Sequence, residues 1–180
     1  MAQLPYLMYE QKPPMSSQSF IALAEDFLTK KDAALLRRLA SSSSVNSEAT
    51  GCNFIDEWMM WDHALRLNLA KERIIKQKKE NMQVSEPPVF PLEAAAAASK
   101  AVDEESPLVG EKILDKARWL ALDAILSIGY FNRESVYAYY LKLLLLERYQ
   151  SFNEEKGFAE YKSLYDSIVE NAQNSLGELK

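Results

Sequence analysis

NRESVYAYYLKLLLLERYQSF, residues Asn132 to Phe152, decides the fold. From Val136 to Leu146 its only charged side chain is Lys142. A helix here is apolar on every face for about three turns, so other helices or lipid must cover it on several sides. Lipid is the weaker reading: the run falls far short of the roughly 20 residues a bilayer span needs, and Glu147-Arg148 closes it. The stretch therefore reads as a buried central helix over 132–150. Asn132 can accept a backbone N–H at its start, and Glu134 suits the positive end of its dipole.

The helices that cover it are legible on both sides. Residues 1–15 carry Pro5, Pro13 and Pro14 among Leu4, Tyr6, Leu7, Met8 and Tyr9, which predicts an extended arm laid on a helical body. Ser16 or Ser17 can cap a helix in which Phe20, Ile21, Leu23, Ala24, Phe27 and Leu28 recur up to about Thr29. Asp32 is read as the cap of a short second helix with Leu35, Leu36 and Leu39. The serine-rich run over 41–52 then reads as a flexible loop. Asn53 opens a long helix whose stripe is Phe54, Trp58, Trp61, Leu65 and Leu69, with Asp62, Arg66 and Lys71 placed off it. Prolines 87, 88 and 91 make a stiff connector over 85–92 that could mark a lobe boundary. An alanine-rich helix able to lie close to a neighbour follows. Pro107 is tolerated in the first turn of the next helix, which Gly129 is expected to end. A final helix from Glu154 carries Phe158, Tyr161, Leu164, Tyr165, Ile168 and Ala172 at helical spacing, with a charged or polar opposite face. With no alternating strand pattern, the expectation is an all-α bundle of about seven helices, in one domain over 1–180.

Composition narrows the function classes. Hydrophobic residues make up 48% of the 180 residues, which excludes general disorder. The net charge of −5 argues against a broad nucleic-acid grip. Cys52 is the single cysteine, so no internal disulfide or cysteine-based zinc cluster can form, and a reducing compartment fits. No secretory signal is visible, so the expected location is cytoplasmic.

Chemistry is sparse. His63, beside Asp62, is the lone histidine, which rules out a two-histidine zinc helix. Cys52 has no recognisable partner base, and the five glycines form no phosphate loop, so neither a catalytic residue nor a cofactor is expected. Binding features are three. The basic run Lys71, Arg73, Lys76, Lys78 and Lys79 could meet an acidic partner or simply complement a helix C-terminus. The arm, with Tyr6 and Tyr9, could dock on a partner or on its own body. Phe54, Trp58 and Trp61 could line a ligand pocket, although aromatics at this spacing are core more often than not.

Four stretches, taken in order, carry a resemblance: LPYLMYEQKPPMS, WDHALRLNLAKERI, SPLVGEKILDKARWLALDAI and GYFNRESVYAYYLKLLLLERYQSFNEEKG. Together they resemble an uncharacterised bacterial family associated with the V-type (archaeal-like) rotary ATPase. Its members look like a helical counterpart of part of that machine's d-type component, the all-helical body between the membrane proteolipid ring and the central rotor shaft. The most specific pieces are KARWLALD around Arg118-Trp119 and LLERYQSFNEEKG over 145–157. The resemblance implies an all-helical, non-enzymatic subunit or accessory factor on the cytoplasmic side of the membrane sector, with other ATPase subunits as partners. The rival reading is a helical ligand-binding or regulatory module with a Trp58/Trp61 pocket.

Overall fold

A computed structural model describes residues 4–41, 49–78, 85–86, 92–126, 132–152 and 154–177. It is all-helical, with seven helices and no strand among those residues. They are α1 (Ser17–Glu25), α2 (Lys30–Ser41), α3 (Asn53–Lys76), α4 (Leu92–Asp103), α5 (Pro107–Ile125), α6 (Arg133–Ser151) and α7 (Glu154–Gly177). The serine-rich run from 42 to 48, Lys79 and Gly129 lie outside the described residues, as does most of the proline connector.

α6 is the expected central helix. Between Glu134 and Glu147 no residue is exposed. Tyr137 and Tyr140 are the largest fully buried side chains among the described residues. Leu143, Leu145 and Leu146 are buried beside them, each contributing about 1.5–3 kcal/mol by leaving water. Asn132 Oδ1 accepts the Ser135 N–H at 3.0 Å, the anticipated cap. Lys142, the one cation of the apolar run, is neutralised by Asp123 of α5 and lies 4.7 Å above the Trp119 ring.

Partners surround α6. Phe20 of α1 packs 4.9 Å from the Tyr139 ring. The Tyr137 hydroxyl lies 3.2 Å from Asp32 Oδ1 of α2. Glu147 accepts both the N–H and the hydroxyl of Ser17 at 2.7 Å, so a carboxylate of α6 caps the first turn of α1. The extended segment before α1 lies on the same body. Leu7 is buried, the Tyr139 hydroxyl donates to the Pro5 carbonyl, and Tyr9 donates to the Lys112 carbonyl of α5.

Local chemistry shifts the expected end of α1 and the expected cap of α2. α1 stops at Glu25 because Phe27 and Leu28 both turn back on the Ala24 carbonyl, which leaves Phe27 84% exposed. Thr29, not Asp32, caps α2: its hydroxyl oxygen accepts the Asp32 N–H and the hydroxyl donates to the Asp32 carboxylate. α3 ends at Lys76, and Lys78 takes a left-handed φ of 51°.

α3 and α4, on either side of the proline connector, pack together, and α4 packs on α5. The approach of α4 to α5 is close. A Cβ at Gly110 would stand 2.8 Å from the Ala101 carbonyl oxygen, and Ala94 and Ala98 are fully buried. The chain divides into two compact units, 1–149 and 150–180, the second consisting of α7 and the last residues of α6.

Candidate partner-binding surface

The basic run is not one patch. Arg73 reaches Glu111 of α5 at 3.6 Å. Lys76 Nζ donates to the Val102 carbonyl, in the last turn of α4, where a cation complements the negative helix end. Lys71 and Lys78 are exposed and have no ion pair among the described residues. Half of the described run is therefore engaged in holding α3 to α4 and α5, and Lys71 and Lys78 are the members open to a partner.

Tyr6 and Tyr9 separate as well. Tyr6 is 88% exposed. Tyr9 is half-buried, with its ring edge-on to Trp119 at 5.6 Å and tilted against Tyr149 at 6.0 Å. Burial, and then the nearby Asp115 carboxylate, hold the Tyr9 phenol well above its ordinary range. Tyr9 thus anchors the extended segment, and Tyr6 projects from it.

Behind these residues runs a chain of charges that helical periodicity does not reveal. Helical spacing puts Asp62 of α3 off the apolar stripe, yet it is 7% exposed. Arg118 Nε donates to its Oδ1 at 2.9 Å and Arg66 to its Oδ2 at 2.7 Å. Arg118 also pairs with Asp115 at 2.8 Å, Asp115 with Arg148 at 3.3 Å, and Arg148 with Glu111 at 2.5 Å. The chain ties α3, α5 and α6 together. Asp115 is fully buried, and its Oδ2 has no hydrogen-bond partner among the described residues. Burial drives its carboxyl above the usual range against the pull of Arg148 and Arg118.

The remaining candidates are placed as follows. Trp58 and Trp61 are buried and stacked on each other at 5.8 Å with ring planes 10° apart, within the core cluster. His63 is exposed, whereas its neighbour Asp62 is committed to two arginines. Cys52 is fully buried as the residue preceding α3. Among the described residues no group of three or more His, Cys, Asp or Glu could hold a metal, and no helix is long and apolar enough to cross a membrane.

Residues 97–172 match a family described as Protein of unknown function (DUF2764). The matched stretch runs from α4 through α5 and α6 into α7 and includes Asp115, Arg118 and Arg148. Comparison with curated proteins and with solved structures finds no match.

Proposed function

We propose that the chain is a non-enzymatic helical subunit or accessory factor of a V-type rotary ATPase, bound through protein partners at the cytoplasmic side of the membrane sector. The observation that carries this reading is the order of the four sequence stretches that resemble the ATPase-associated family, the most specific of which lie around Arg118 and over 145–157. The cross-tied body supports it. A part that transmits or resists torque must not yield between its helices, and buried ion pairs with fixed geometry suit that requirement. In this reading Lys71, Lys78 and Tyr6 contact the partner, while Arg73, Lys76 and Tyr9 hold the surface that presents them.

The test is affinity capture of the tagged protein from gently solubilised host membranes, with partners read by mass spectrometry. ATPase subunits recovered in fixed ratio, and lost on combining Lys71→Glu with Lys78→Glu while helicity is unchanged, are the expected result. Recovery of the protein without ATPase subunits overturns the assignment.

A further inference from the structure

Tyr9 lies along α5 beside a buried acid. Its hydroxyl donates to the Lys112 carbonyl at 2.9 Å, and its ring stands edge-on to Trp119 at 5.6 Å. Asp115 falls between those two anchors, three residues after one and four before the other, on the same face of the helix. Its Oδ2 is sealed from water without a hydrogen bond from any described residue. Tyr9 supplies none, because its one hydroxyl proton is committed to Lys112. The two groups are close enough for the Asp115 charge to add to burial in raising the Tyr9 phenol.

We infer that the extended segment before α1 is a pH-sensitive lid: Tyr9 closes over Asp115 when that side chain carries a proton and lifts when it is ionised. A carboxylate shut away from water with one oxygen unbonded is costly, whereas the neutral acid is far less so. Burial accordingly raises the Asp115 carboxyl above its ordinary value, against the pull of Arg148 and Arg118 and with a smaller push from Glu111. The surroundings tolerate the proton. Arg118 keeps Asp62 at 2.9 Å and Arg148 keeps Glu111 at 2.5 Å, so neither guanidinium is stranded when Asp115 becomes neutral. The other charged groups around this face are Glu10 of the segment itself, Lys112 of α5, which lies over the Tyr149 ring, and Arg73 of α3, which reaches Glu111. Linkage sets the direction. Closing the segment removes water from Asp115 and so favours its proton; closure is therefore strongest at low pH and weakens as the pH rises through the closed-form pKa.

Amide hydrogen exchange over residues 6–12 of the full chain, corrected for the pH dependence of the intrinsic rate, reads the lid between about pH 4 and pH 8. Wild-type protection should fall as the pH rises, by up to about tenfold for each unit by which closure raises the Asp115 pKa. Asp115→Asn, uncharged at every pH, should show no such fall. Glu10→Gln should leave the fall in place. Titration of the Asp115 carboxyl carbon by NMR keeps the test independent of how well Asp115→Asn folds: the wild-type midpoint should lie above about 4 and move down in Tyr9→Ala, where water reaches the acid. Wild-type protection that is flat with pH, an equal fall in Asp115→Asn, a fall abolished by Glu10→Gln, or a carboxyl midpoint that Tyr9→Ala leaves in place overturns the inference.

Discussion

Arg118 Nε and Asp62 Oδ1 meet at 2.9 Å across 56 residues of sequence, joining α5 to α3 in a place from which water is nearly excluded. Neither residue is at the surface where a helix of mixed polarity would be expected to carry its charges.

Removing one member of this pair should therefore cost more than a surface ion pair would. Arg118→Ala leaves Asp62 and Asp115 buried with one cation fewer between them and should destabilise the protein by about 3–5 kcal/mol in urea unfolding. Arg118→Lys keeps the charge but not the fork that reaches both acids, so it should recover only part of the loss.

Gly110→Ala places a methyl group against the Ala101 carbonyl, which belongs to the backbone and cannot swing aside. The expected loss is about 1–3 kcal/mol. Gly157→Ala, where nothing stands within 4 Å, serves as the control and should not destabilise. Thermal unfolding of the two variants makes the comparison.

The contact between Asp32 and Tyr137 should shape stability at both ends of the pH scale. The hydrogen bond from Thr29, and then those from Arg133 and Tyr137, hold the Asp32 carboxyl below its ordinary value against its desolvation. Its stabilisation is present above that value and lost as the pH falls through the folded-state pKa. Burial and the Asp32 charge raise the Tyr137 phenol above 10.0, so its stabilisation holds at lower pH and is lost as the pH climbs. Asp32→Asn should flatten the acid limb and lessen the alkaline one, as measured by denaturant midpoints from about pH 3 to 11.

Tyr9→Phe deletes the hydrogen bond to the Lys112 carbonyl while keeping the ring on Trp119. A loss of about 1 kcal/mol is expected, with faster chymotryptic cutting near Tyr6 and Leu7. Unchanged cutting would mean that the ring contacts alone hold the segment down.

How much of this could be read in the sequence depends on the range of the interaction. The α6 assignment needed only its own residues, because an all-round apolar helix too short to span a bilayer must be covered by other helices. The same is true of Asn132, whose partner Ser135 is three residues away. The network through Asp62, Arg118, Asp115 and Arg148 was not legible, since periodicity assigns a charge to the solvent side unless its distant partner is known. Arg73 and Lys76 looked alike in a basic run, yet one meets a carboxylate of α5 and the other a carbonyl of α4. The spacing in α7 located its apolar face but says nothing about what covers that face.

The extended segment before α1 also sets an order of events during synthesis. Tyr9 precedes Lys112 by 103 residues, and Pro5 precedes Tyr139 by 134. At ordinary translation speed its docking partners emerge on the order of 10 s later. For that interval Leu4, Tyr6, Leu7, Met8 and Tyr9 form an unpaired hydrophobic ribbon held near the ribosome. Tyr9 finds its acceptor only when α5 arrives, and the Pro5 carbonyl its donor only when α6 does.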